Sequence, residues 1–71
     1  MGKGLINAKQ LGSTIREKRQ NMGYTQKSFA DEIMVTEVYM NNIETGKHIP
    51  SNKLLKQIAD KLGLTITIEI A

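Results

Sequence analysis

The sequence predicts an all-α domain of four short helices that ends in a single β-strand. Apolar residues recur at helical spacing in four segments, each preceded by a residue able to cap a helix: Asn7, Thr25, Thr36 or Ser51. Gly23, Gly46 and Gly63 follow three of those segments, where helices commonly stop. The last stretch, TITIEI from Thr65 to Ile70, changes to a period of two.

Met1 to Ile6 forms a lead-in with Gly2 and Gly4 and one charge at Lys3. Asn7 caps the first helix, with Gln10 in the reciprocal capping position, and the helix runs over about Ala8 to Asn21. Leu11, Ile15 and Met22 mark its inner face, joined by the stems of Lys18 and Arg19. Gly12 inside it weakens the helix by roughly 1 kcal/mol.

Thr25 caps a second helix with Phe29, Ala30 and Ile33 inward, ending near Met34. Thr36 caps a third, about Glu37 to Thr45, in which Met40 and Ile43 point to the core. KHIPS is a loop in which Pro50 forces Ile49 to be extended. Ser51 caps the fourth helix, whose Leu54, Leu55, Ile58, Ala59 and Leu62 form the cleanest amphipathic stripe in the chain.

The closing strand places Ile66, Ile68 and Ile70 on one face, with no second strand in the sequence to pair with. Pairing with a second copy of the chain is the expected remedy, since a lone apolar edge invites aggregation. The expected organisation is therefore a lead-in over residues 1–6, a helical domain over 7–63 and a dimerisation strand over 64–71.

At 71 residues the chain is one domain, too small to enclose a deep active site beside its own core. With no cysteine and one histidine, His48, neither a disulfide nor a metal site is expected, and no cofactor. The aromatic residues are Tyr24, Phe29 and Tyr39, which leaves the core mainly to Leu, Ile and Met. Ten Lys and Arg against seven Asp and Glu give a net charge of +3, a mild lean toward polyanions. No apolar run nears the ~18 residues of a membrane span. The first residues lack a signal peptide's apolar core, and Ile6 stands where a myristoylation signal wants Ser or Thr. A cytoplasmic protein is the expectation.

Thr25 to Gly46 fits two short helices around a tight turn, each too short to be stable alone. Such a helix-turn-helix leaves Glu37, Val38, Asn41 and Asn42 on the outer face of its second helix, the face that can enter a major groove. Spacing alone is equally compatible with an ordinary helical hairpin in a small bundle.

The residues then carry a resemblance. LGSTIREKRQNMGYTQKSFADEI, followed by NNIETGKHIPS and a short helix ending in LG, resembles the lambda-repressor/Cro-like helix-turn-helix family, also called the xenobiotic-response-element family. Within it the likeness is nearest to the HipB-like antitoxin regulators, whose members end in a strand that pairs across a dimer. The likeness covers roughly residues 7 to 70. It rests on a combination: Arg16 and Arg19, the Gly23-x-Thr25-Gln26 start, Ala30, and Glu44-x-Gly46-Lys47.

The resemblance implies a compact four-helix domain that binds double-stranded DNA as a homodimeric repressor. It implies base contacts from Glu37, Val38, Asn41 and Asn42, and phosphate contacts from Thr25, Gln26, Thr36, Tyr39 and Lys47. Arg19 and Glu44 match a pair that bridges the first and third helices. The chemistry of these side chains agrees: Asn suits adenine, Val a thymine methyl and Glu the cytosine amine. Each also has a plainer use. Glu37 complements a helix dipole, Gln26 suits an exposed turn, Tyr39 can cover the edge of the core, and cations such as Lys47, His48 and Lys53 often only face solvent.

Two departures stand out. Met34 occupies the turn position where the family usually has Gly, and a Cβ in a left-handed conformation costs about 1 kcal/mol, which opens the way to a differently shaped turn. The fifth helix of phage repressors is also missing, with TITIEI in its place. An antitoxin that holds a toxin protein and binds DNA for autoregulation is the alternative function. An enzyme is disfavoured, because His48 has no evident nucleophile or acid partner.

Overall fold

Asn7 opens the first helix with its side-chain oxygen, which accepts the Gln10 backbone N–H at 3.1 Å. In this computed structural model, which describes residues 7–65, helix α1 spans Ala8–Asn21, α2 Gln26–Glu32, α3 Glu37–Glu44 and α4 Asn52–Leu62. The described residues are all helix, turn or loop, with no strand among them. The lead-in over residues 1–6 and the strand, apart from Thr65, lie outside the described residues.

Each remaining helix starts on the cap its sequence offers. Thr25 and Ser28 close a capping box: Thr25 Oγ1 accepts the Ser28 N–H at 3.0 Å and Ser28 Oγ accepts the Thr25 N–H at 2.9 Å. Just before that cap, Tyr24 sets its ring edge-on against Phe29, centroids 5.2 Å apart, and this apolar clasp fixes the angle at which the chain enters α2. Thr36 and Ser51 cap α3 and α4 more simply, their side-chain oxygens accepting the N–H groups of Tyr39 and Leu54 with no reciprocal bond.

The core gathers Ile15 from α1, Phe29, Ala30 and Ile33 from the α2 segment, Met40 and Ile43 from α3, and Ile58 and Leu62 from α4. Leu55 and Ala59 are buried beside them, while Leu54 and Leu11 are only partly covered. Met22, expected on the inner face of α1, is 48% exposed. It is the residue at which α1 ends, and the chain turns away before Met22 can continue the stripe. Helix α3 packs on both α1 and α2, and α4 closes the core against α1.

The turn between α2 and α3 keeps the left-handed geometry that a glycine would normally supply. Met34 has φ 61°, and the N–H groups of Met34 and Val35 reach back to the carbonyls of Asp31 and Ala30 at 3.2 and 3.0 Å. A different turn was the expectation from Met34; the helix-terminating bonds outweigh the strain. Its side chain is 91% exposed, so packing does not compensate.

Candidate nucleic-acid interface

The site is built from the back of α3 forward. Gly12, read from propensity as a weak point, is buried where α1 crosses the end of α3. A Cβ there would stand 2.5 Å from the Glu44 carbonyl oxygen and closer still to that of Ile43. The two backbones meet only because Gly12 has no side chain. Gly12, Ile15 and Arg19 lie on one face of α1 at i, i+3 and i+7, a spacing that marks Gly12 as part of the inner face.

Arg19 and Glu44 sit on the same seam. Nε and Nη2 of Arg19 donate to Glu44 Oε2 and Oε1 at 2.6 and 3.1 Å, and Nη1 donates to the Tyr24 carbonyl at 2.8 Å. Both side chains are almost wholly buried. No buried polar side-chain atom among the described residues lacks a partner, so this forked pair is satisfied as well as desolvated. The Tyr24 carbonyl was not singled out by the sequence, since nothing in its residue type marks a backbone acceptor.

The pair reaches the surface through Gln26. Its Nε2 donates to Glu44 Oε1 at 3.2 Å and to Asn41 Oδ1 at 3.3 Å. Arg19, Glu44, Gln26 and Asn41 thus form one hydrogen-bonded chain from the buried seam to the outer face of α3.

On that outer face Glu37, Val38 and Asn41 are exposed, Val38 at 71%, and Asn42 is half-buried. Thr25 and Thr36 have their oxygens committed to helix caps, which leaves their O–H groups free to donate. Tyr39 is half-buried, and its hydroxyl lies 2.8 Å from His48 Nε2, with the rings 4.9 Å apart. Lys47 is held close to α3 by its own backbone. Gly46, at φ 83°, turns the chain so that the Lys47 and His48 N–H groups both donate to the Asn42 carbonyl, at 2.9 and 3.2 Å. The fold therefore brings together an exposed helix face, a cation at its end and hydroxyl donors at two helix starts. No group of three or more metal-binding side chains occurs among the described residues.

The family described as helix-turn-helix matches residues 15–68. The ImmF control region 10 kDa protein of Bacillus phage phi105 is 30% identical over 64 residues, which cover 90% of this chain and 71% of that protein. The uncharacterized HTH-type transcriptional regulator YazB of Bacillus subtilis (strain 168) is 32% identical over 60 residues, covering 84% of this chain and 87% of that one. The fold is also that of the clp gene regulator ClgR from C. glutamicum, with a TM-score of 0.79 over 93% of this chain and 85% of the other at 24% identity.

Proposed function

The chain belongs to the helix-turn-helix family of DNA-binding transcriptional regulators, and from that premise we propose that it is a sequence-specific repressor acting as a homodimer on a palindromic operator through the major groove. The observation that carries the proposal is the mounting of α3: its apolar side is sealed against α1 and α2 while Glu37, Val38 and Asn41 stay open to solvent. In this reading Glu37, Val38, Asn41 and Asn42 meet base edges. Thr25 and Thr36 donate hydroxyls to phosphates, Tyr39 does so with its oxygen accepting from His48 Nε2, and Lys47 clamps the backbone just beyond α3. Gln26 reaches its phosphate through its backbone N–H at the first position of α2, since both side-chain hydrogens are engaged.

The dimer is assigned to Thr65–Ile70. Two copies running antiparallel would cover the faces of Ile66, Ile68 and Ile70 and set the two α3 helices about 34 Å apart, one turn of DNA. Residues 7–63 then form the DNA-binding unit and 64–71 the seam, with a shallow groove beside Leu55, Ala59 and Leu64 where the seam begins.

One experiment addresses both parts. Binding to duplex DNA is measured against salt for the full chain and for a chain lacking Thr65 to Ala71, with sedimentation of each. The proposal expects steeply salt-dependent binding by a dimer, and a truncated monomer of much lower affinity. A truncated chain that remains dimeric at micromolar concentration and binds DNA unchanged would remove the seam from the account.

The period-two ending resembles that of HipB-like regulators, and it favours a second reading as an antitoxin. That reading expects a stable stoichiometric complex with the product of a neighbouring gene.

A further inference from the structure

The hydrogen-bonded chain at the start of α2 fixes which way round a side chain on the outer face must point. Glu44, engaged by Arg19, offers only acceptors. The Gln26 atom 3.2 Å from Glu44 Oε1 is therefore its amide nitrogen, because an amide oxygen there would face a carboxylate oxygen. The same nitrogen lies 3.3 Å from the side chain of Asn41, and so Asn41 turns its carbonyl oxygen toward it. An amide's oxygen and nitrogen diverge at about 120° from its trigonal carbon. With Oδ1 held by Gln26 on this exposed face, the Asn41 NH2 group points away from Gln26 and is left to bond elsewhere.

Resting on the DNA-binding reading, we infer that Asn41 engages DNA as a hydrogen-bond donor alone, with Gln26 as the positioning residue that sets this sense. A free Asn can pair with adenine through both ends of its amide. Asn41 has its acceptor end turned into the protein, and its NH2 matches acceptors: guanine O6 and N7, thymine O4, adenine N7 alone, or a phosphate oxygen, whereas cytosine offers it only a donor. The buried Arg19–Glu44 pair is therefore coupled to base preference through two amides, although neither of its charges touches the surface.

The test titrates the full chain, Asn41→Ala, Asn41→Asp and Gln26→Ala against a duplex selected by the wild type. The same proteins are titrated against the single-base variants of that duplex and against duplexes carrying one methylphosphonate linkage. If the acceptor is a base, the position sensitive to Asn41→Ala excludes cytosine and favours guanine over adenine, because guanine offers two acceptors and adenine one. Gln26→Ala, by freeing the Asn41 amide to turn over and accept from cytosine N4 or adenine N6, then lowers discrimination against cytosine, and of guanine over adenine, there by about tenfold. If the acceptor is a phosphate, Asn41→Ala leaves base preference intact and abolishes the effect of one methylphosphonate. In either case Asn41→Asp, which replaces the donor with an acceptor, weakens binding more than Asn41→Ala does. Asn41 is exposed, so this arm does not depend on the fold tolerating loss of Gln26.

An Asn41→Asp chain that binds like the wild type overturns the inference, as does an Asn41-dependent preference for cytosine or for adenine over guanine. A base contact whose discrimination survives Gln26→Ala overturns the positioning role. A wild type that selects no duplex at all would instead defeat the DNA-binding reading beneath it.

Discussion

The two sides of α3 obey opposite rules. At its back, α1 approaches so closely that Gly12 has no room for a Cβ, and a forked ion pair is buried with every polar atom satisfied. At its front and at the turn that leads into it, Val38 is 71% and Met34 91% exposed, and Met34 holds a strained backbone without packing in return. The orientation of the outer face of α3 is therefore set from behind. Changes at the back should move stability most, and changes at the front should move recognition most.

The strongest way to break this division is at the ion pair. Arg19→Met leaves Glu44 buried without its partner and should cost about 3 to 5 kcal/mol, much of what a small domain has. Thermal melting reads this directly. Adding Glu44→Leu should recover a large part of the loss, because it removes the stranded charge. Additive effects in that double-mutant cycle would show that the two groups are not coupled.

Next comes Gly12→Ala. Helix propensity alone favours alanine by roughly 1 kcal/mol. The close backbone contact predicts the reverse, a loss of about 1 to 3 kcal/mol as α1 is pushed from α3. A rise in melting temperature would mean that the seam yields and that its closeness matters little.

These two positions also mark the limit of what the sequence discloses. The four helices were legible from Asn7, Thr25, Thr36, Ser51 and the glycines after them, because capping and termination are local chemistry. The Arg19–Glu44 contact joins residues 25 apart. Helical spacing carries no signal for such a contact, and it came into view through family resemblance. Gly12 was misjudged because propensity scores the isolated helix, whereas the residue answers to a neighbouring backbone. Met34 suggested an altered turn for the same reason: intrinsic preference was weighed without the bonds from its own N–H and that of Val35, which hold the turn in place. The link from Gln26 to Asn41 depends on rotamers that no sequence pattern encodes.

Smaller effects sharpen the front. Met34→Gly should stabilise by roughly 0.5 to 1 kcal/mol, the left-handed strain relieved less the added freedom of the unfolded chain. A melting temperature that falls instead would mean that the exposed Met34 side chain contributes a contact. Lys47→Ala should change stability by less than about 0.5 kcal/mol. It should nevertheless flatten the log–log salt dependence of DNA binding by about 0.9, one phosphate contact. An unchanged slope would place Lys47 away from the DNA backbone.

On the proposed reading the outer face of α3 meets base pairs, while the seam behind it holds that face in place. The most direct measurement is selection of binding sites from random duplexes by the wild type and by Asn42→Ala, with melting curves for both. The account predicts that the wild type enriches a defined sequence. It also predicts that Asn42→Ala relaxes preference at particular base pairs by about 1 to 3 kcal/mol while melting close to the wild type. An Asn42→Ala chain that enriches the same sequence with the same discrimination would contradict it.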